Sequence, residues 1–125
     1  MTVTFRTGTS VFPRARIKYG DPILLDDVAV DFAELKIVMA HGGRPFSTQQ
    51  PFFPIRRHRN VYLDISGIPP NRLLDYFPRL LEISEKTIFG SDWPTVGVES
   101  IGHNVQQMLR LGLPEQSLSK ILYTS

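Results

Sequence analysis

Four short segments rich in β-branched and aromatic residues alternate with longer segments of helical character, and this alternation limits the folds open to the chain. The predicted strands are residues 2–6, 36–41, 60–65 and 86–91. Strands that alternate with helices pair in parallel, because each crossover helix returns the chain to the same end of the sheet. The sequence therefore predicts an α/β fold of four β/α units in a single domain, residues 1–125.

The first and third intervening segments predict amphipathic helices. Asp21 is a good N-cap and Pro22 suits a first turn, so the first helix should begin there. Its predicted apolar face consists of Leu24, Leu25, Val28 and Phe32. The third helix should follow Pro70, and Pro78 should kink or divide it. Helical spacing gives it an apolar face of Leu73, Leu74, Phe77, Leu80 and Leu81.

The second and fourth intervening segments are punctuated by proline and glycine. Pro51 and Pro54 predict that the second helix is short or starts only after Pro54. The fourth helix should span about residues 101–111, with Gly112 as its C-cap. Pro114 should then open a last helix that returns apolar residues to the core.

Charge and composition narrow the possible partners. The sequence has 14 Lys and Arg residues against 12 Asp and Glu residues, a formal net charge of +2, which is not the surplus of a nucleic-acid-binding protein. We expect the basic clusters at 14–18 and 56–59 to be solvated or to stabilise helix ends. No apolar run approaches the roughly 18 to 20 residues of a membrane span, and no signal peptide is apparent, so we expect a cytoplasmic protein without a membrane partner. Without cysteine, any metal site must use histidine and carboxylates.

Polar residues and glycine follow each predicted strand. The segments concerned are 5–10, 39–45, 63–67 and 89–94. Because the carboxyl ends of parallel strands meet at one edge of a sheet, functional side chains are expected there. Strand alternation places His41 on the face of Ile37 and Met39. It places Asp92 on the face of Ile88, and both His41 and Asp92 are then expected to point inward.

A neutral imidazole and a carboxylate are suitable ligands for a divalent metal, and the carboxylate could also take the proton of a metal-bound water. Structural roles explain the same residues equally well: His41 as a hydrogen-bonding residue at a strand end, and Asp92 as a turn residue. Asp64 is expected to cap the next segment through its Asp-x-Ser pattern. His58 and His103 lie in helix-like regions and need no function.

Three motifs resemble those of the amidohydrolase-related family. They are H-G-G-R-P at 41–45, N-V-Y-L-D-I-S at 60–66 and F-G-S-D-W-P at 89–94. Their order and spacing also match, and F-R-T-G-T-S at 5–10 resembles the end of that family's fifth strand. The resemblance implies that the four β/α units correspond to the second half of a TIM (β/α)8 barrel. It also implies a metal-dependent hydrolase or non-oxidative decarboxylase that acts on a small carboxylated or cyclic substrate.

The resemblance also implies roles for individual residues. His41 matches the family's catalytic histidine on the sixth strand, and Asp92 matches the metal-binding aspartate on the eighth, so both are predicted as catalytic residues and as ligands of a divalent metal, most often zinc. Arg44 is predicted to hold a substrate carboxylate, with Trp93 as a second substrate-binding residue. The fifth-strand histidine is replaced by Arg6, a cation that cannot be a ligand. The H-x-H pair of the first half is absent.

These departures leave three hypotheses. In the first, the chain contributes to an enzyme whose barrel is completed by a polypeptide equivalent to the N-terminal half or by a homo-oligomer. In the second, it is a non-catalytic, truncated half-barrel that self-associates through its open edges. In the third, it is a small βα binding module unrelated to the family. The third hypothesis gives no reason for the order of the motifs.

Overall fold

A computed structural model describes residues 1–10, 12–95 and 97–124 and contains a four-stranded sheet. The strands are β1 (Thr2–Arg6), β2 (Lys36–Ala40), β3 (Val61–Asp64) and β4 (Thr87–Ile88). They lie in the order β1-β2-β3-β4, and every neighbouring pair is parallel. The predicted α/β fold of four β/α units is thereby confirmed, although the fourth strand is much shorter than residues 86–91.

Short helices and turns connect the strands. The α-helices are α1 (Asp26–Asp31), α2 (Phe52–Arg57), α3 (Leu73–Tyr76), α4 (Ile101–Leu109) and α5 (Glu115–Ser119). Tighter 3-10 turns are formed by Ile17–Gly20, Pro22–Leu25, His41–Gly43, Pro70–Arg72 and Leu80–Lys86. A wider helical turn, Lys120–Thr124, follows α5. No helix of the described segments has the length and apolar character to cross a membrane.

One face of the sheet packs against the main apolar core. The register aligns two rows of side chains at the carboxyl ends of the strands: Phe5, Met39, Leu63 and Thr87 in one row, and Arg6, Ala40, Asp64 and Ile88 in the other. In the first row, Met39 and Leu63 are fully buried in the main apolar core with Ile55 and Leu80. The second row therefore lies on the opposite face, which in a closed barrel is the interior.

The helices begin largely where the sequence predicts, but the predicted apolar face of the first helix needs a correction. Asp21 caps the first helical segment by accepting a hydrogen bond from the Ile23 amide at 3.0 Å. Leu24 and Phe32 are exposed, however, because the segment starts as a 3-10 turn of about three residues per turn, which shifts the side chains off the predicted stripe. Helix α2 is short, as the first of the two predicted alternatives has it. It includes Pro54 in its first turn, where an amide has no intrahelical acceptor and proline is tolerated.

The open edge of β4 is partly covered by the C-terminal segment. The Ile88 carbonyl accepts from the Ile65 amide at 3.0 Å, so Ile88 faces β3. In a parallel strand the next residue faces the other way, and the Phe89 amide donates to the Ile121 carbonyl at 3.1 Å. Ile121 is fully buried, as predicted for the last helix. The described residues provide no such cover for the outer edge of β1.

Candidate functional site

The chain turns sharply at the end of β2, where three successive residues have left-handed backbone conformations. The φ angles are 67° at His41, 55° at Gly42 and 76° at Gly43. Strand alternation therefore cannot predict the direction of the His41 side chain, because His41 lies in this turn and not in β2. Ile37 and Met39 face the helical core, whereas Ile88 lies on the opposite face, and the strand has ended before His41 is reached.

Thr7 holds this turn against β1. Its hydroxyl donates to the Ala40 carbonyl at 2.6 Å and accepts from the Gly43 amide at 2.9 Å. The residue is buried, so both hydrogen bonds are shielded from water. Sequence reasoning did not single out Thr7. Its only signal was its place in the F-R-T-G-T-S segment.

The hydrogen bond of the His41 imidazole determines its tautomer. The side chain is 6% exposed, and Nδ1 lies 2.6 Å from the Ser66 carbonyl oxygen. Because a carbonyl oxygen can only accept, Nδ1 must carry a proton and donate it. In the neutral ring the lone pair is then on Nε2, for which the described segments provide no hydrogen-bond partner.

Asp64 in turn fixes Ser66. Its Oδ1 accepts from the Ser66 amide at 2.8 Å, and its Oδ2 accepts from the Ser66 hydroxyl at 3.0 Å. The predicted capping role of Asp64 is thereby confirmed. Both oxygens of this carboxylate serve the loop that positions His41, so Asp64, Ser66 and His41 form one continuous polar chain.

Gly67 allows His41 and Arg44 to share one space. Its φ is 72°, and a Cβ atom added to it would lie 2.9 Å from His41 Nδ1 and 2.8 Å from Arg44 Nη2. Any side chain here would collide with both groups. The structure therefore brings together these two of the predicted site residues, and Arg44 Nε is buried without a hydrogen-bond partner in the described residues.

Asp92 follows β4 in a left-handed conformation, with φ of 62°. Within the described ranges, His41 and Asp92 are the non-glycine residues with positive φ. Such strained positions are uncommon and are concentrated at functional sites. The half-buried Asp92 side chain has no hydrogen bond or ion pair among the described residues, while its carbonyl accepts from the Thr95 amide at 2.9 Å.

Trp93 and Arg6 are both exposed. Trp93 is 56% exposed, and its amide donates to the Ser91 hydroxyl at 3.1 Å. The substrate-binding role of Trp93 stays a prediction. Arg6 is exposed and lies in the same row as Ala40 and Asp64, on the face opposite Met39 and Leu63.

A cavity of about 430 Å³ opens beside Arg44, between the loop after β3 and helix α4. Its polar lining includes Arg44, Ser91, Asn71, His103 and Gln107. His103 Nδ1 lies 3.5 Å from a carboxylate oxygen of Glu99, which precedes α4 and also lines the cavity. Sequence reasoning gave His103 no function. The missed signal is the spacing of His103 and Gln107, four residues apart, which places them on one face of α4.

The described residues do not form a metal centre by themselves. They contain no group of three or more histidine and carboxylate side chains arranged to hold a metal ion. A catalytic zinc normally has about three protein ligands and one open position. His41 and Asp92 are chemically suitable ligands, but a complete site would need further ligands from outside these residues.

Residues 2–124 match a family model described as Amidohydrolase. The chain belongs to the amidohydrolase family. The amidohydrolase chain is also similar in structure to an uncharacterized TIM-barrel protein, Bb4693 from Bordetella bronchiseptica, with a TM-score of 0.77 and 23% sequence identity. The match covers 99% of this chain and 43% of that chain. No curated protein matches the sequence significantly.

The structural similarity confirms the fold as four β/α units of a TIM barrel. The amidohydrolase chain spans 43% of the TIM-barrel protein that it matches, consistent with half of a barrel. That the units are the second half stays a prediction from the motif order.

Proposed function

We propose that the chain forms part of a metal-dependent hydrolase or non-oxidative decarboxylase of a small carboxylated or cyclic substrate. In this proposal the remaining four β/α units, in the same polypeptide or in a second one, close the barrel; we call this assembly the completed barrel. The observation that carries the proposal is the buried imidazole of His41, whose proton on Nδ1 is committed to the Ser66 carbonyl. A cytoplasmic location is proposed on the sequence alone.

In this role His41 is the general acid and base. Nε2 accepts a proton from the reacting group or its water, while Nδ1–H stays bonded to the Ser66 carbonyl and keeps the ring orientation. The resulting imidazolium is stabilised because both its nitrogens are then donors and one already has a fixed acceptor. Asp64 acts only through Ser66 and is a positioning residue.

Asp92 is proposed as the chain's carboxylate ligand or proton acceptor. Its side chain lacks a hydrogen-bond partner in the described segments and follows β4 at the edge where parallel strands present functional groups. Arg6 cannot be a ligand, and residues 1–10, 12–95 and 97–124 form no three-ligand group. In this proposal the missing ligands come from the other half of the completed barrel.

The edges of the sheet favour a complementary half over a second copy of the chain. A two-fold dimer would need β1 and β4 to be equally available, but the Phe89 amide on the outer edge of β4 is bonded to Ile121. Several large apolar side chains before β1 and between β1 and β2 are exposed. They are Met1, Phe12, Ile17, Tyr19 and Phe32. A homo-oligomer remains the alternative.

A non-catalytic half-barrel is the second candidate function, favoured by Arg6 and by the incomplete ligand set. Turnover distinguishes the two candidates. The completed barrel is assayed for hydrolysis of small lactones and cyclic amides and for decarboxylation of small aromatic acids. We expect activity that a chelator removes, that added zinc restores and that Asp92→Asn lowers by about two orders of magnitude or more. Activity that is insensitive to both the chelator and Asp92→Asn would refute the metal-dependent mechanism through Asp92, and complete inactivity would favour the non-catalytic module.

A further inference from the structure

The turn that contains His41 is bonded at both of its ends to the hydroxyl of Thr7. Thr7 Oγ1 donates to the carbonyl of Ala40, which precedes the turn, at 2.6 Å. It also accepts from the amide of Gly43, which ends the turn, at 2.9 Å. Thr7 is 2% exposed, so water does not compete readily for either hydrogen bond. A single buried hydroxyl therefore bridges the turn from β1.

The backbone of this turn needs such support. The successive φ angles of His41, Gly42 and Gly43 are 67°, 55° and 76°. A left-handed conformation costs free energy in a residue that has a Cβ atom, so His41 is the strained position of the three. Removing the Thr7 hydroxyl would remove two buried hydrogen bonds, one at each end of the turn. We expect the backbone at His41 to relax when this bridge is lost.

The direction of the His41 imidazole depends on the same backbone. Nδ1 lies 2.6 Å from the Ser66 carbonyl oxygen, a distance that requires the Cα–Cβ bond of His41 to point toward the loop after β3. A change of φ at His41 turns this bond in another direction and moves Nδ1 away from its acceptor. His41 is thus held from two neighbouring strands: its backbone by Thr7 after β1, and its ring by Ser66 after β3.

We propose that Thr7 is a positioning residue for His41. Its hydroxyl keeps the turn in the conformation in which Nδ1–H is bonded to the Ser66 carbonyl and the lone pair of Nε2 is left for the reacting group. Thr7 acts through His41 and does not itself contact the reacting atoms. The inference deepens the proposed function and rests on it for the reaction alone, because the orientation of the ring is a property of this chain.

The orientation is tested on the chain alone by ¹⁵N NMR of the histidine side chains, which shows which ring nitrogen carries the proton. Spectra are recorded at about pH 8.5, where an ordinary histidine ring is neutral. His41→Asn assigns the His41 signals by their loss. We expect a proton on Nδ1 in the unmodified chain and in Thr7→Ser, which keeps the hydroxyl. Thr7→Val, which has a similar shape without the hydroxyl, should show a mixture of the two tautomers.

Thr87→Val is the matched control. Thr87 is fully buried and its hydroxyl donates to the Ile83 carbonyl at 2.8 Å, so this substitution removes a buried hydrogen bond that does not involve the turn. It should lower stability against urea and leave His41 as a single tautomer. An unchanged tautomer in Thr7→Val, or the same mixture in Thr87→Val, would overturn the inference.

A second hydroxyl-free variant covers the case in which Thr7→Val does not fold. Thr7→Ala removes the same hydroxyl without placing a methyl group against the Gly43 amide, and it should show the same mixture of tautomers. If neither variant folds while Thr87→Val does, Thr7 is a structural residue and the inference is overturned.

Turnover by the completed barrel provides an independent readout. Thr7→Val should lower kcat by about tenfold or more, since a displacement of about 1 Å can cost roughly 10²-fold, and Thr7→Ser should recover most of the loss. Thr87→Val should change kcat by less than about threefold, because His41 keeps its position. An unchanged kcat in Thr7→Val would also overturn the inference. If the completed barrel shows no turnover, the tautomers still decide whether Thr7 positions His41, and only the proposed function fails.

Discussion

Replacing His41 with asparagine should lower turnover by the completed barrel by about 10² to 10⁴-fold, the usual contribution of a general acid–base group. Asparagine is the sharpest substitution because its amide nitrogen can take the place of Nδ1 and donate to the Ser66 carbonyl, while nothing replaces Nε2. Asparagine also tolerates the φ of 67° better than most residues. The measurement is the pair kcat and kcat/KM on the best substrate of the panel.

The control for this experiment is His58→Asn. His58 is bonded to Asp26 at 2.7 Å and lies before β3, at the opposite end of the sheet from His41. Its replacement should affect stability more than turnover. If neither His41→Asn nor His58→Asn changes kcat, His41 is a hydrogen-bonding structural residue at a strand end, which is the alternative role considered for it in the sequence.

Replacing Gly42 with alanine should destabilise the fold by about 2 to 4 kcal/mol. A left-handed conformation costs a non-glycine residue roughly 1 to 2 kcal/mol, and forcing an extra methyl group into a packed core costs about 1 to 3 kcal/mol. At Gly42 both costs apply, since φ is 55° and the added Cβ would lie 2.5 Å from Phe77 Cζ and 3.0 Å from Leu63 Cδ1. Urea unfolding of the chain measures the difference.

Gly112→Ala separates these two contributions. Gly112 also has positive φ, at 76°, but an added Cβ would have no neighbour within 4 Å. Its substitution should cost only the conformational part, about 1 kcal/mol. Equal destabilisation by Gly42→Ala and Gly112→Ala would mean that the turn after β2 is not packed as closely against Phe77 as described.

The sheet could be predicted from the sequence because its strands carry strong local signals. β1 has the predicted bounds, and β2 and β3 end within one residue of their predicted ends. The fourth strand is shorter because the outward amide of Phe89 bonds to Ile121, far along the chain. A local pattern contains no information about such a distant partner.

The sequence indicated candidate residues for the site but not their geometry, and their catalytic and binding roles stay predictions. The motifs identified His41, Arg44 and Asp92, but the alternation argument assumed that β2 continues through His41. His41 instead has a left-handed backbone conformation, with φ of 67°. Its side-chain direction therefore does not follow the two-residue alternation of a strand. The cavity joins Arg44 to His103, on elements distant in sequence, and only the three-dimensional fold brings them to one surface.

The most direct test of the shared site is the metal content of the chain alone and of the completed barrel, measured after equilibrium dialysis against zinc. We expect about one zinc per completed barrel, and we expect Asp92→Asn to abolish its binding. The chain alone should bind no zinc tightly, because its described residues form no three-ligand group. A chain that binds one zinc tightly by itself, or a completed barrel that binds none, would contradict a site divided between two halves.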